Sequence, residues 1–282
     1  MAARLAHIQE VGCSNHPCAT RSSLNLMEEN MKEIRIVKST LKPDKKGRAL
    51  IMPMGDIHLG HPNCDVGLLK EKIEMCLKKN IYVIGMGDMI EASLRDSVGD
   101  GIYFQKLNPK EQIDEIIRLF YPLANKGLLL GIHLGNHENR ITKTTSLDVV
   151  DMICNALNVP YLGHSALHEI KVGNQIYTIF STHGSSGARL ATSKLKAASD
   201  LFRYISADIV LHGHLHSLDH LTSIYFEVVN GKGIEKERHV IVTGSFLSYV
   251  GSYAEQMNLP PAKLGTALIY LWAKHNEIRV SL

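Results

Sequence analysis

Four short apolar runs in this 282-residue chain end in glycine followed by residues that bind metals. ALIMPM (49–54) closes on Gly55-Asp56-Ile57-His58, and IYVIGM (81–86) on Gly87-Asp88-Met89-Ile90-Glu91. GLLLGIHL (127–134) closes on Gly135-Asn136-His137-Glu138, and DIVLH (208–212) on Gly213-His214-Leu215-His216. A fifth run, QIYTIFS (175–181), leads into Thr182-His183-Gly184. Runs of this length and composition read as buried strands. Loops at the strand ends of an open α/β sheet gather along one edge, so all five can meet in a single cleft. Glycine before a ligand allows a tight turn and close backbone approach. A lone histidine at a strand end is commonly a hydrogen-bonded structural residue. Five such loops in order, each directly after an apolar run, form a joint signal.

Helical spacing fills the gaps between runs. Residues 65–79 place Val66, Leu69, Ile73, Cys76 and Leu77 on one side, and Pro109 opens a helix over Pro109–Leu123 with Ile113, Ile116, Ile117 and Phe120 on one face. Further helices are expected over 146–157 and around 188–205. HEIKV (168–172) and QIYTIFS read as a hairpin turning at Gly173-Asn174. LTSIYFEVV, a turn at Asn230-Gly231, RHVIVTG and TALIYLWA make the last part strand-rich. Alternating β and α units followed by antiparallel strands predict an α/β fold, two mixed β-sheets packed as a sandwich flanked by helices. Residues 92–108 read as an inserted loop. Residues 1–30 are polar and aperiodic, and are expected to be a disordered arm or an extension upstream of Met27 or Met31. Residues 31–282 then make a single domain.

Composition narrows the class. The chain is 45% hydrophobic and 21% charged with a net charge of +3, as in an ordinary soluble globular protein and without the dense basic stripe of a dedicated nucleic-acid binder. No apolar run reaches the roughly 18 residues of a membrane span, and the first residues lack a signal-peptide core, so a cytoplasmic protein is expected. Five cysteines, Cys13, Cys18, Cys64, Cys76 and Cys154, are odd in number and scattered, unlike a disulfide framework. Cys13 and Cys18 flank His16, but no second ligand pair follows at zinc-knuckle spacing.

The order D-x-H, G-D-x-x-(D/E), G-N-H-(D/E), H and G-H-x-H resembles the calcineurin-like metallophosphoesterases, over roughly residues 49–217. The resemblance implies a four-layer metallo-dependent phosphatase fold with its site at the sheet edge. It implies one metal on Asp56, His58 and His216, another on Asn136, His183 and His214, and Asp88 bridging them. A hydroxide between two metal ions would attack a phosphodiester or phosphomonoester. His137 would serve the leaving group, with Glu138 holding its tautomer. A donor set of carboxylate, imidazole and amide without thiolate suits a divalent transition metal, manganese first, with iron, nickel or zinc as alternatives.

Other residues carry weaker signals. Arg140 is placed to clamp a phosphate. His61 reads equally as a solvent-facing loop residue or a substrate contact, and His212 as packed inside a strand. Tyr103, Phe104 and Arg95 read as parts of an ordinary packed loop. The expected partner is a phosphate-ester substrate, including nucleotides and nucleic acids; no membrane is involved, and a homo-oligomer is compatible with the composition. The alternatives are a nuclease akin to the double-strand-break repair nuclease subunits, for whose DNA-capping domain little chain remains after residue 217, and a non-catalytic scaffold. Retention of all seven ligand types and His137 argues against the scaffold.

Overall fold

In the computed structural model, which describes residues 34–95, 101–185, 187–251, 255 and 260–282, three of the apolar runs become neighbouring parallel strands. These are β2 (Arg48–Met54), β3 (Tyr82–Gly85) and β4 (Leu129–His133). β5 (Tyr161–Gly163) extends the parallel set, while β11 (Leu268–Trp272) pairs antiparallel with β2 and β12 (Ile278–Ser281) with β11. The second sheet holds β1 (Arg35–Leu41), β6 (Ser165–Val172), β7 (Gln175–Thr182), β8 (Ile209–His212), β9 (Leu218–Val229) and β10 (Lys232–Thr243). The strand orders are β12-β11-β2-β3-β4-β5 and β1-β6-β7-β8-β10-β9. The second sheet is mixed: β6–β7 and β9–β10 are antiparallel, whereas β7–β8 and β8–β10 are parallel.

Two apolar layers explain why the central strands have no polar face. Successive residues of a strand point to opposite sides. Ala49 and Ile51 of β2 join Ile84, Ile179, Leu211 and Ile241 between the sheets, while Leu50, Met52 and Met54 face the helices. Those helices are α1 (Val66–Lys79), α3 (Pro109–Asn125) and α5 (Val149–Leu157), which contribute Leu69, Ile73, Ile116, Phe120, Val150 and Ile153. The outer side of the second sheet carries α6 (Ala191–Ser199), whose Ala198 packs with Val240 and Val242. The fold is thus α/β with two facing mixed sheets. No described helix is long and apolar enough to cross a membrane.

Caps account for most helix boundaries. Asn108 and Glu111 form a reciprocal capping box ahead of Pro109. The expected helix over 146–157 begins only at Val149, because Ser146 is left-handed (φ 61°) and ends a preceding helix, α4 (Asn136–Thr145), while Asp148 caps the next one. The expected helix around 188–205 shortens to α6 followed by a 3-10 turn, Asp200–Arg203. The 92–108 insertion contains a short helix, α2 (Gly101–Phe104), and its Tyr103 and Phe104 are exposed, which corrects the packed-loop expectation. Arg95 is exposed as well. The arm expected over residues 1–30, with Cys13, His16 and Cys18, lies outside the described residues.

Candidate metal centre

Each strand-end motif does its work just past the last ladder residue. Asp56 and His58 follow β2, Asp88 and Glu91 follow β3, and Asn136 and His137 open α4 directly after β4. His183 follows β7, and His214 and His216 follow β8. Of the seven ligand candidates, Asp56, His58, Asp88, His214 and His216 have positive φ, between 49° and 65°. Non-glycine residues adopt this conformation at a cost on the order of 1 kcal/mol each, so the fold holds these side chains against a local preference. Glycine is required at Gly87, which has φ 86° and whose added Cβ would crowd His183 and Gly135. An added Cβ on Gly135 would overlap the Asp88 backbone and carboxylate.

The seven side chains meet in a basin with a buried floor and an open rim. Asp56, His58, Asp88 and His183 are buried, whereas His214 and His216 are half-buried and Asn136 is exposed. Asp88 Oδ2 lies 3.4 Å from His183 Nε2 and 3.8 Å from His58 Nε2 and from His137 Nε2. His58 Nε2 is 3.1 Å from His216 Nε2, His216 Nε2 is 3.4 Å from Asp56 Oδ1, and His183 Nε2 is 2.9 Å from Asn136 Oδ1. Ligand atoms fall into three overlapping groups, Asp56/His58/Asp88/His216, Asp88/His183/His214 and His58/Glu91/His137, the first two of which share Asp88.

The chemistry of the floor fits a cation. His58 Nδ1–H donates to Glu91 Oε2 (2.9 Å) and His183 Nδ1–H to the Met86 carbonyl (2.8 Å). Each Nε2 is thereby turned into the basin, the arrangement in which metal-binding imidazoles are oriented by an outer partner. There the Nε2 atoms face the Asp88 carboxylate, the Asn136 amide oxygen and the His216 ring, places where a divalent cation can replace the imidazolium proton. His214 Nδ1 is buried with no hydrogen-bond partner among the described residues. A buried ring nitrogen left in this way is costly, and one that carries a lone pair is satisfied by a cation.

Charge follows the same geometry. Burial pushes the Asp88 carboxyl up, but the imidazoles of His137, His183 and His58 outweigh it and hold it well below the usual carboxylate range. Burial also raises Asp56, and the His216 hydrogen bond and charge bring it below its ordinary value. Burial lowers His183, but Asp88 drives it up to about 10. Burial likewise lowers His58, whose bond to Glu91 carries it above its ordinary value.

The outer residues are arranged differently from expectation. Glu138 does not hold the His137 tautomer. Its carboxylate accepts the backbone N–H groups of Asp88, Met89, Ile90 and Gly135, so it clamps the Asp88 loop to the start of α4. The reason is the helix itself: as third residue of α4, Glu138 turns back toward the helix start. His137 Nδ1–H instead donates to the Glu91 carbonyl (2.7 Å), and its backbone N–H donates to Asp88 Oδ1. Arg140 Nη2 donates to His137 Nε2 (3.0 Å) on the rim of the basin. Glu91, part of the Gly-Asp-x-x-Glu spacing but given no role by the sequence, orients both His58 and His137. Burial raises its carboxyl, and the hydrogen bond and charge of His58 bring it down to about 2. Ser245 is a residue the sequence does not flag; its hydroxyl donates to the Asp56 carbonyl (2.9 Å). His212 is packed, its ring against Gly184 and its Nδ1 on Gly213 O. His61 accepts from Asn63 N–H and lines a separate cavity of about 560 Å³ with Leu59, Cys64, Val66 and Lys106.

No protein family matches the chain, and no curated protein does. Among solved structures, a Thermotoga maritima protein determined by solution NMR in a structural-genomics programme is 15% identical, with coverage of 83% of this chain and 97% of that one. Its TM-score of 0.33 is too low to carry an argument.

Proposed function

We propose that this chain is a metal-dependent phosphoesterase of the calcineurin-like type, hydrolysing a phosphodiester or phosphomonoester. The observation that carries the reading is the sharing of Asp88 between two of the groups of ligand atoms. Asp56, His58 and His216 would hold one divalent cation, Asn136, His183 and His214 the other, with Asp88 common to both. Two cations held close together acidify a water and neutralise charge on the phosphate. The facing mixed sheets, with the site along one edge, support the four-layer phosphatase fold. Oxygen and nitrogen donors without thiolate favour manganese, with iron, nickel or zinc as alternatives. The described cysteines Cys64, Cys76 and Cys154 are free thiols, which supports a cytoplasmic setting.

The chain's own residues then supply positioning and a proton. Burial, with the His58 charge adding to it, outweighs the pull of Asp88 and lowers His137 to about 4, so the ring is neutral with its proton on Nδ1. Its Nε2 lone pair is engaged by Arg140. An arriving phosphate attracts the Arg140 guanidinium and, by its charge, favours the protonated imidazole. His137 can then present a proton from Nε2 to the leaving oxygen while Glu91 O keeps the ring oriented.

The test combines metal content with turnover. Purified protein loaded with Mn²⁺ and desalted is expected to hold about two ions per chain and to cleave at least one of bis-p-nitrophenyl phosphate, p-nitrophenyl phosphate, a cyclic nucleotide or single-stranded DNA. Metal content near zero after loading, or two ions with no turnover on any of them, would overturn the reading. Preference for the DNA would select the nuclease alternative.

A further inference from the structure

Behind the basin, three polar side chains are enclosed with almost no solvent contact: His133 at the end of β4, Ser181 near the end of β7, and His168 in β6. His133 Nε2 and His168 Nε2 each lie 2.7 Å from Ser181 Oγ, and His133 Nδ1 lies 3.0 Å from the Gly163 carbonyl. The protons of this chain follow from its partners. A carbonyl only accepts, so His133 carries its proton on Nδ1. Burial pushes His133 down to about 3 and His168 down to about 4, so both rings are neutral. His133 Nε2 is therefore an acceptor and takes the Ser181 hydroxyl proton. Ser181 Oγ in turn accepts from His168 Nε2–H. His168 Nδ1 is left as a buried acceptor with no partner among the described residues.

The placement gives the network a purpose. β4 belongs to the first sheet and β7 to the second, so the His133–Ser181 bond crosses between the sheets, beside the His183–Met86 carbonyl bond that ties the end of β7 to the end of β3. Three residues beyond His133 stands Asn136, and two beyond Ser181 stands His183. These two ligand candidates come from opposite sheets, yet Asn136 Oδ1 and His183 Nε2 lie 2.9 Å apart. No ladder hydrogen bond sets that separation, because β4 and β7 are in different sheets. β7 is also tied to the first sheet at its other end, where Tyr177 Oη lies 2.7 Å from Trp272 O of β11.

We propose that the His133–Ser181–His168 network is a positioning device that sets the spacing of Asn136 and His183, and so the affinity of the Asn136/His183/His214 cation position but not of the Asp56/His58/His216 position. The inference rests on the two-cation reading. Direct outer partners of a metal ligand are typically worth about 10–100-fold in affinity. This network reaches Asn136 and His183 through two or three residues of chain, so a loss toward the lower end, about 10-fold, is expected at one position alone.

The experiment is a Mn²⁺ titration by calorimetry on the full chain after chelation, comparing the wild type with Ser181→Ala, His133→Leu and Tyr177→Phe. Ser181→Ala and His133→Leu break the same bond from opposite sheets, and each is expected to weaken one of two binding events by about 10-fold with the other unchanged. Tyr177→Phe, which loosens β7 at its far end, is expected to leave both events unchanged even if it lowers the melting temperature. Should Ser181→Ala not fold, His133→Leu, with an apolar side chain between the sheets, carries the same expectation. Nitrogen-15 correlation of the wild-type imidazoles is expected to show His133 as the Nδ1–H tautomer and His168 as the Nε2–H tautomer. Two wild-type binding events that remain unchanged in both variants, that weaken together, or that Tyr177→Phe weakens equally overturn the positioning role alone, as do reversed tautomers. A wild type that binds no Mn²⁺ overturns the two-cation reading and this role with it.

Discussion

The molecule holds two sets of buried histidines that differ in nearly every respect. Those of the basin sit on loops past the strand ends, three of them (His58, His214 and His216) with positive φ, and face carboxylates. His133 and His168 sit within regular strands and share one serine hydroxyl. In the second set each donor meets an acceptor and both rings are neutral, so the network is closed but for one lone pair. In the first set imidazoles converge on carboxylates, which raise His58 and His183 above their ordinary values, and the local charge balance shifts with what is bound. Burial alone therefore does not mark a functional histidine. What separates the sets is a backbone held in an unfavourable conformation and ring nitrogens that converge on carboxylates.

The contrast breaks most completely at Asp88. Its carboxylate serves two groups of ligand atoms, so Asp88→Asn is expected to bring metal content below one ion per chain and to cost more turnover than any other single ligand change. Elemental analysis and phosphoester turnover check both halves. An Asp88→Asn protein with two ions and wild-type rate would refute the shared role.

His137 is the next largest, and it separates holding a cation from using one. His137→Ala is expected to keep both ions and to lose about 10²–10⁴-fold in rate on esters with poor leaving groups, with much less loss on nitrophenyl esters, which need no proton. Loss of a metal ion would recast His137 as a ligand. An equal loss on all esters would make it a group that stabilises charge or positions substrate.

Glu138 sharpens the comparison from outside the basin. Glu138→Gln keeps the shape but replaces one acceptor oxygen by an amide NH2 facing the backbone N–H groups that Glu138 holds. It is expected to weaken Mn²⁺ binding by about 10–100-fold through the loosened Asp88 loop, with kcat at saturating metal changed far less than in His137→Ala. Metal titrations of the rate read both numbers, and an unchanged metal dependence would show that the clamp is dispensable.

The smallest effect belongs to the closed network and appears as acid sensitivity. His133 and His168 have folded-state values of about 3 and about 4, below the ordinary 6.5. Between those values the unfolded chain binds more protons than the folded one, so stability is complete above 6.5 and is lost as pH falls toward 4 and then 3. Each group contributes at most about 1.4 kcal/mol per pH unit in that window. Chemical denaturation of His168→Leu should show a shallower fall between pH 6.5 and 4 than the wild type. Identical slopes would mean that His168 is not held neutral.

Much of the frame was legible because its causes are local. Both faces of β2 and β3 are covered, so ALIMPM and IYVIGM read as continuous apolar runs. Asp65, Asn108 with Glu111, and Pro109 mark helix starts through hydrogen bonds to neighbouring residues. Helix α4 was hidden because it begins on the metal motif itself, at Asn136, with no polar cap before it and few apolar residues along it. β1, β5 and β12 are short or at sheet edges, and the partners of β1 and β5 lie far away in the chain.

By itself the sequence determined which side chains stand at the strand ends, since apolar period and glycine punctuation are properties of a few neighbouring residues. It thereby named the ligand candidates that the fold brings together. Only the tertiary structure decided what each of their neighbours does. Glu138 turns to the Asp88 loop and His137 to the Glu91 carbonyl, and His133 reaches Ser181 across the seam between two sheets. These pairings join residues some 46 to 49 positions apart, and a hydrogen bond over that span depends on how strands stack, which no local pattern encodes.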